Sequence, residues 1–565
     1  MAKATCRGNA SLTNVAIRSG FWRLSSMTTD VQRCPLGSGL SCRGGQNASE
    51  YCAPGLGGPL CSTCISDDKF VKKERCTPCP GVGKAVANAS IFVGGVLACV
   101  LLFVMLYTEL RGFSAWVVRT QARARLMIGV LELQTKFRYT IGLVQTLDQM
   151  SSTFDLELPR ELVRLLSYMN FLRLDWSILV PRSCIGFSFG LLAQTMLPWV
   201  FVLFIVLASV LSAAVRDLKE RRCINASAIG SSVKSGLLTA VSWSLPLSYA
   251  LLIPCATVVF ESFSCKEFRR NDHLFFSGHR DDEAVAYFLT TDLSVRCTGG
   301  QVSIPSVQPP SPEHETILTR AYVAMLLWPI GVPLVYCALL ARASTAIQAR
   351  RPTSVSRSIQ FLHSGYKPRF LYWEVLDLIR RLVLIGVLRF VPKDGLPVSR
   401  LLVGAGLALF FLFALLWLRP HENELNNLFG AVVHLCVVLM LLASCSIEMH
   451  QRALYGDLID GQQASQTMLG FGHLDQLTQV MVIVPSATAV LMLGVTLFSW
   501  AFLRIPYSFV DKATNKAVLL SLEQQHVYHL FLSHIWSGYA GLKPTPRVRQ
   551  GCLFGMVAAA AVGFY

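Results

Sequence analysis

The densest chemistry in the chain is a set of seven cysteines, Cys34, Cys42, Cys52, Cys61, Cys64, Cys76 and Cys79, in a run rich in Gly and Pro. Two chemistries suit that pattern. Cys61-Ser-Thr-Cys64 and Cys76-Thr-Pro-Cys79 are CxxC pairs of the kind that hold zinc. Only eleven residues separate them, which is short for a zinc ribbon. A segment too small for a core of its own is otherwise held by disulfides, and these persist outside the reducing cytosol. We therefore expect a disulfide-rich module without metal or cofactor, whose connectivity spacing alone does not give. Cys265 and Cys297 stand alone in the polar segment 261–315, and the natural expectation is one bridge closing that loop.

Charged residues inside apolar stretches are the second candidate chemistry. Asp377 and Arg381 are four apart and share a helix face, with Arg380 beside them. They read as an anchor at the start of a helix, with Tyr372 and Trp373 as an interfacial belt. A phosphoinositide-responsive element is the sharper reading. Glu132 and Lys136 make a similar pair within the apolar stretch Leu126–Leu147. His434 reads as a hydrogen-bonded core residue rather than a proton relay. Asp457 and Asp460, in Gly456-Asp-Leu-Ile-Asp-Gly461, could line a cation pore mouth or belong to an ordinary solvated loop. Arg350, Arg351, Arg357, Lys367 and Arg369 are candidates for contact with lipid headgroups. Asn47, in Asn-Ala-Ser, is a glycosylation acceptor if it lies outside the cell. Asn225 has the same motif in a basic loop expected inside. No nucleophile–base pair, HExxH motif or phosphate loop is present, so no catalytic residue is assigned and an enzyme is not expected.

These side chains need a membrane to position them. At 53% hydrophobic and 15% charged over 565 residues, the composition is that of a multi-span membrane protein. The net charge of +17 resides mostly in short loops beside apolar runs, which argues for orientation and lipid contact rather than nucleic acid. Ala87–Tyr107 is long enough to span, and the arginines that follow it mark the cytoplasmic side. Met1–Ser11 lacks a signal-peptide core. Either this first span translocates a short N-terminus or the chain is incomplete.

Leu126–Leu147 is either an amphipathic surface helix or a second span. Parity favours the span, because without it the basic loops would lie outside. Phe187–Val215, Gly236–Phe260, Tyr322–Leu340, a helix ending near Val391, Leu401–Leu418, Leu428–Cys445 and Thr478–Leu503 follow. The expected fold is an all-α polytopic membrane protein of about nine transmembrane helices, each near twenty apolar residues, with a small disulfide-rich extracellular N-terminal module. The divisions are a module at 1–80, three spans in 85–235, six spans in 236–504 with the external loop 261–315, and a cytoplasmic tail at 505–565.

The order Gly20-Phe-Trp-Arg23, Cys34-Pro, Cys42-Arg-Gly-Gly, Cys52…Gly58-Pro-Leu-Cys61-Ser-Thr-Cys64 and Cys76-Thr-Pro-Cys79 resembles ephrin-receptor-like, EGF-related modules. These precede multi-span domains in algae, dinoflagellates and oomycetes. Trp328-Pro-Ile-Gly-Val-Pro333, Tyr287-Phe-Leu-Thr-Thr-Asp292, Tyr372-Trp-Glu374…Arg380-Arg381 and Arg419-Pro420…Leu425-Asn426 are similar to the same protist family. Its membrane part is described as TRP-like. The resemblance covers roughly residues 20–504. His526–Gly538 resembles the first strand of a TIR-like domain, truncated here.

The resemblance implies a TRP- or polycystin-like cation channel or sensor at the plasma membrane, with the N-terminus outside and the C-terminus inside. Its expected partners are membrane lipids, phosphoinositides among them, cations and further copies of the chain. The competing expectation is a receptor or adhesion protein that binds an extracellular ligand and does not conduct.

Overall fold

The structure, a computed structural model, describes residues 4–5, 11–34, 41–47, 50–66, 68–72, 75–79, 90, 94–95, 132–154, 184, 187–221, 226–277, 284–297, 312–391, 398–455 and 474–502. The chain divides into two compact units, Met1–Leu503 and Arg504–Tyr565, and every described residue lies in the first. The expected first span Ala87–Tyr107 and the TIR-like stretch 526–538 lie outside the described residues.

The N-terminal module is a stack of two-stranded hairpins, including Phe21–Trp22 with Gln32–Arg33 and Lys69–Lys72 with Arg75–Pro78. Strands this short bury only a small apolar cluster around Ile17, Trp22, Tyr51, Leu56 and Leu60, so bridges hold them as well. Cys34 pairs with Cys42, Cys52 with Cys61, and Cys64 with Cys76. Each CxxC motif is thus divided between bridges. Cys79 pairs with Cys184, which the sequence reading left unassigned. This last bridge ties the end of the module to the residue just before α2 (Phe187–Arg221). Arg23 fills the module's centre and donates to Tyr51 Oη at 2.9 Å and to the Leu12 carbonyl at 2.9 Å.

The module rests on a three-stranded antiparallel sheet in the segment between α3 and α4. Its strands are β1 (Cys265–Arg269), β2 (Val285–Leu289) and β3 (Arg296–Cys297), with β2 in the middle. Cys265 and Cys297 are bridged. Trp22 packs edge-on against Phe268 at 5.6 Å. Asp272 accepts hydrogen bonds from Thr28 Oγ1 at 2.9 Å, Thr29 N at 2.7 Å and Thr29 Oγ1 at 2.6 Å.

Among the described residues, six helical stretches are long and apolar enough to cross a membrane: 188–215, 230–261, 312–348, 399–418, 424–449 and 479–497. They belong to α2, α3 (Ala226–Glu261), α4 (Pro312–Met325) with α5 (Val332–Gln348), α7 (Ser399–Leu418), α8 (Glu424–Tyr455) and α9 (Leu474–Phe502). Helices α4 and α5 join through a π-helical turn, Leu326–Gly331. Pro329 and Pro333 lack N–H donors, which loosens the ladder there. Trp328 from this turn donates to the Thr195 carbonyl at 2.8 Å. Gly236 lets α2 and α3 approach closely, since an added Cβ would lie 2.5 Å from Val210 Cα.

Two less apolar helices occupy the middle. α1 spans Leu133–Phe154, so the helix is shifted toward the C-terminus of the expected Leu126–Leu147, and residues 126–131 lie outside the described residues. α6 is Trp373–Ile385, continued by a 3-10 turn, Val387–Phe390. One apolar core gathers residues of α1, α6, α7, α8 and α9. The other gathers residues of α3, α4, α5, α6 and the 359–371 segment. α1 and α6 contribute to both.

α1 begins beside Ser364, where Ser364 Oγ donates to Gln134 Oε1 at 3.0 Å, and beside Asn426, which donates to Glu132. It ends where Ser152 donates to Glu261 Oε1 at 3.3 Å. It therefore runs to the bundle end that carries the disulfides, alongside α3. Glu132 meets Asn426 across the bundle as well as the nearby Lys136.

Candidate functional site

The site is assembled by α1, α3, α6 and α8. α6 places Glu374, Asp377, Arg380 and Arg381 within two helical turns, spaced so that their side chains fall on adjoining faces. An isolated helix would turn those groups to water. Here all four are at most 6% exposed. Asp377, Arg380, Arg381 and Trp373 are thus core residues, which corrects their expected role as an interfacial anchor. Tyr372 does sit at the surface, 40% exposed.

Burial of charge is tolerated only with partners. Glu374 accepts from Tyr249 Oη of α3 on Oε1 and from Tyr366 Oη on Oε2, each at 2.7 Å. Arg138 of α1 reaches Glu374 Oε2 at 2.8 Å, and Arg381 reaches Oε1 at 3.5 Å. Arg138 also donates to the carbonyls of Phe361 and Ser364, at 3.0 Å each, and lies over the Tyr366 ring. Arg380 donates to Asp377 Oδ1 through Nε and Nη2, both at 2.9 Å. Arg381 Nε faces Asp377 Oδ2 at 3.1 Å, and its Nη2 donates to Tyr249 Oη. His434 of α8 stands 3.5 Å from Asp377 Oδ1, so it is a core residue held in the same network.

Glycine makes room for the guanidinium groups. A Cβ at Gly142 of α1 would lie 2.7 Å from Arg381 Nη1. Beside it is a cavity of about 10 Å³ walled by Arg138, Tyr139, Gly142, Asp377, Arg380 and Arg381, with Val433 and Val437 of α8. That is space for one water-sized particle.

The cluster is closed at one end by the turn before α8. His421 stacks on Tyr366 with ring centroids 4.5 Å apart. Burial, with the Arg138 charge nearby, pushes its imidazole pKa down to about 3. The ring is therefore neutral: Nδ1–H donates to the Gly365 carbonyl at 3.3 Å, and Nε2 accepts from Tyr139 Oη at 2.9 Å. Toward the disulfide end, Arg389 forms a second buried ion pair with Glu261 at 3.8 Å.

Chemically, this arrangement shares cations between acids. Arg381 divides its contacts between Glu374 and Asp377, and both acids sit one turn apart on one helix. Among the described residues, the contacts of Glu374 and Arg381 that a movement of α6 could change are those with Arg138 of α1, Tyr249 of α3 and Tyr366.

Of the other residues singled out by sequence, Asn47 is exposed, as are Arg350, Arg351, Arg357 and Arg369. Lys367 is half-buried, and its Nζ donates to the Arg419 carbonyl at 2.7 Å. Asp457 and Asp460 lie outside the described residues. The sequence reading missed Glu374 as a site residue, and missed Arg138, Tyr249, Tyr366 and Gly142. Arg138 in an otherwise apolar stretch was the one available signal. His314 comes within 3.9 Å of Cys265 Sγ, but both sulfurs there are committed to the Cys265–Cys297 bond and offer no thiolate to a metal.

Comparison with protein-family models, with curated proteins and with solved structures finds no match. The helices and disulfides are those of a multi-pass membrane protein with a disulfide-rich N-terminal region.

Proposed function

We propose that the protein is a membrane sensor of the cation-channel class, with the cysteine module outside the plasma membrane and the C-terminus in the cytoplasm. The observation that carries this reading is the buried cluster of three arginines and two carboxylates at the centre of an apolar bundle. Ionisable groups at such positions are expensive and are retained where a pathway or switch uses them.

In this reading the chain crosses nine times: Ala87–Tyr107, α1, α2, α3, the α4–α5 rod, α6 with its 3-10 turn, α7, α8 and α9. The common direction of α1 and α3 supports that parity. The last six spans would carry a disulfide-closed external loop after the first and the acidic external segment 446–477 between the last two, the arrangement of a TRP- or polycystin-like channel. Asp457 and Asp460 would line the outer mouth in a ring of identical subunits. The exposed Arg350, Arg351, Arg357 and Arg369 would face anionic headgroups at the opposite end.

The receptor reading is favoured by one separate observation. The module is docked on the loop sheet through Trp22, Thr28 and Thr29, so a ligand held by the module would act on α3 through β1.

Recordings from the purified protein in bilayers, under stretch, lipid and calcium stimuli, separate the two. Cation current that falls at low salt in Asp457→Asn/Asp460→Asn, and recovers partly at high salt, supports the channel. No wild-type current under any stimulus leaves the receptor.

A further inference from the structure

The cluster is not neutral. Among the described residues, the acids that Arg138, Arg380 and Arg381 face are Glu374 and Asp377, and the nearby Lys136 stands against Glu132. One positive charge is left over in the interior of an apolar bundle. His421 and His434 can only add to it.

The surplus has a location. Asp377 accepts from Nε and Nη2 of Arg380, and Tyr249 and Glu374 face Nη2 of Arg381, while Nε of Arg381 lies 3.1 Å from Asp377 Oδ2 without a formed hydrogen bond. The remaining edge of each guanidinium is Nη1. Both Nη1 atoms are fully buried and, among the described residues, have no hydrogen-bond partner. Arg380 and Arg381 both wall the cavity of about 10 Å³ that Gly142 leaves open. A buried N–H of a charged group left without an acceptor is strongly disfavoured, so both Nη1 edges favour an acceptor in the cavity.

We propose that this cavity between α1, α6 and α8 binds one small monovalent anion, chloride in the cell, held by Nη1 of Arg380 and Arg381. A water could accept the same hydrogen bonds but would leave the surplus charge in place. A halide satisfies both donors and brings the cluster to neutrality. Chloride and bromide are little larger than water and suit the space, whereas sulfate and gluconate do not. Asp377 also walls the cavity, and its charge beside the ion is offset by the Arg380 and Arg381 guanidinium groups that hold it. Because the cavity draws walls from three helices, the ion would also fasten α6 to α1 and α8. The site is independent of whether the protein conducts cations.

The test uses the full chain purified in detergent without chloride. Melting midpoints are compared in sodium chloride, bromide, sulfate and gluconate at equal ionic strength. Chloride and bromide at 150 mM should raise the midpoint by about 1–3 °C over gluconate, as binding to the native state requires. Val433→Ile adds a methyl group to the cavity wall and changes no charge. It should weaken half-saturation by chloride at least tenfold while keeping the gluconate midpoint. Val437→Ile serves if that variant does not fold. Equal midpoints in chloride and gluconate would overturn the proposal. So would an equal rise in sulfate, or a filled variant that keeps the full chloride response.

Discussion

Replacing Glu374 with Gln tests the central claim about the site. The side chain keeps its length and shape, so packing against Tyr249 and Tyr366 is preserved. The charge that compensates Arg138 at 2.8 Å and Arg381 at 3.5 Å is lost. Hydrogen bonding fails as well. Both carboxylate oxygens accept from a tyrosine at 2.7 Å, and a Gln can turn an oxygen toward only one of them. Its NH2 must then point at a phenol that is also held by a guanidinium. Breaking one partner out of a buried ion pair costs about 3–5 kcal/mol. At about 2 cal/mol/K of unfolding entropy per residue, a 565-residue chain shifts by about 1 °C per kcal/mol, so the melting midpoint should fall by about 3–5 °C. The assay is thermal unfolding of the detergent-purified protein at neutral pH, read by intrinsic fluorescence and by loss of the monodisperse peak. Arg138→Gln alone should cost a comparable amount. The double variant should lose less than the sum, because the uncompensated partner is gone. A Glu374→Gln midpoint within 1 °C of wild type, an order-of-magnitude bound on no effect, would refute the reasoning, since a buried acid with four charged or phenolic neighbours cannot be neutralised without cost.

Three further outcomes follow from other contacts. Gly142→Ala should destabilise by about 1–3 kcal/mol, because its Cβ would meet Arg381 Nη1 at 2.7 Å in a site with little slack; a midpoint equal to wild type would place Arg381 elsewhere. Non-reducing peptide mapping should recover a Cys79–Cys184 linked fragment, and Cys184→Ser should lower stability by about 4–5 kcal/mol, the chain-entropy value for a loop of about a hundred residues. Asp272 works against burial, but its bonds from the Thr29 side chain and backbone and from Thr28 hold its carboxyl below the ordinary range. A lowered folded-state pKa means stability that is complete above the unfolded value and is lost as pH falls through the folded one. Hydrogen exchange at Thr28–Asp30 should therefore accelerate as pH is taken below 4, near the ordinary carboxylate value, after correction for intrinsic rates, and Asp272→Asn should abolish that pH dependence. Unchanged protection in the acid range would detach the module from Asp272.

Chain composition alone determined that this is a helical membrane architecture, because apolar runs of span length, about nine of them read from sequence and six borne out among the described residues, are a local property that needs no partner to be read. The Cys265–Cys297 bridge was also within reach, since two cysteines alone in a polar segment have one pairing. The Cys79–Cys184 bridge was not. Its partners are 105 residues apart and on opposite sides of two expected spans, where spacing carries no information. The Asp377–Arg381 pair could be read from its i, i+4 register, but not whether it faced headgroups or the core. That depends on which helices cover it. Helix periodicity reports a face, whereas burial reports a neighbour. Only the tertiary structure brought Arg138, from a helix more than two hundred residues earlier in the chain, against Glu374 and placed Tyr249 and Gly142 around Arg381. The physical reason is that a buried charge is specified by its partners, and those partners become adjacent only when α1, α3, α6 and α8 are packed together.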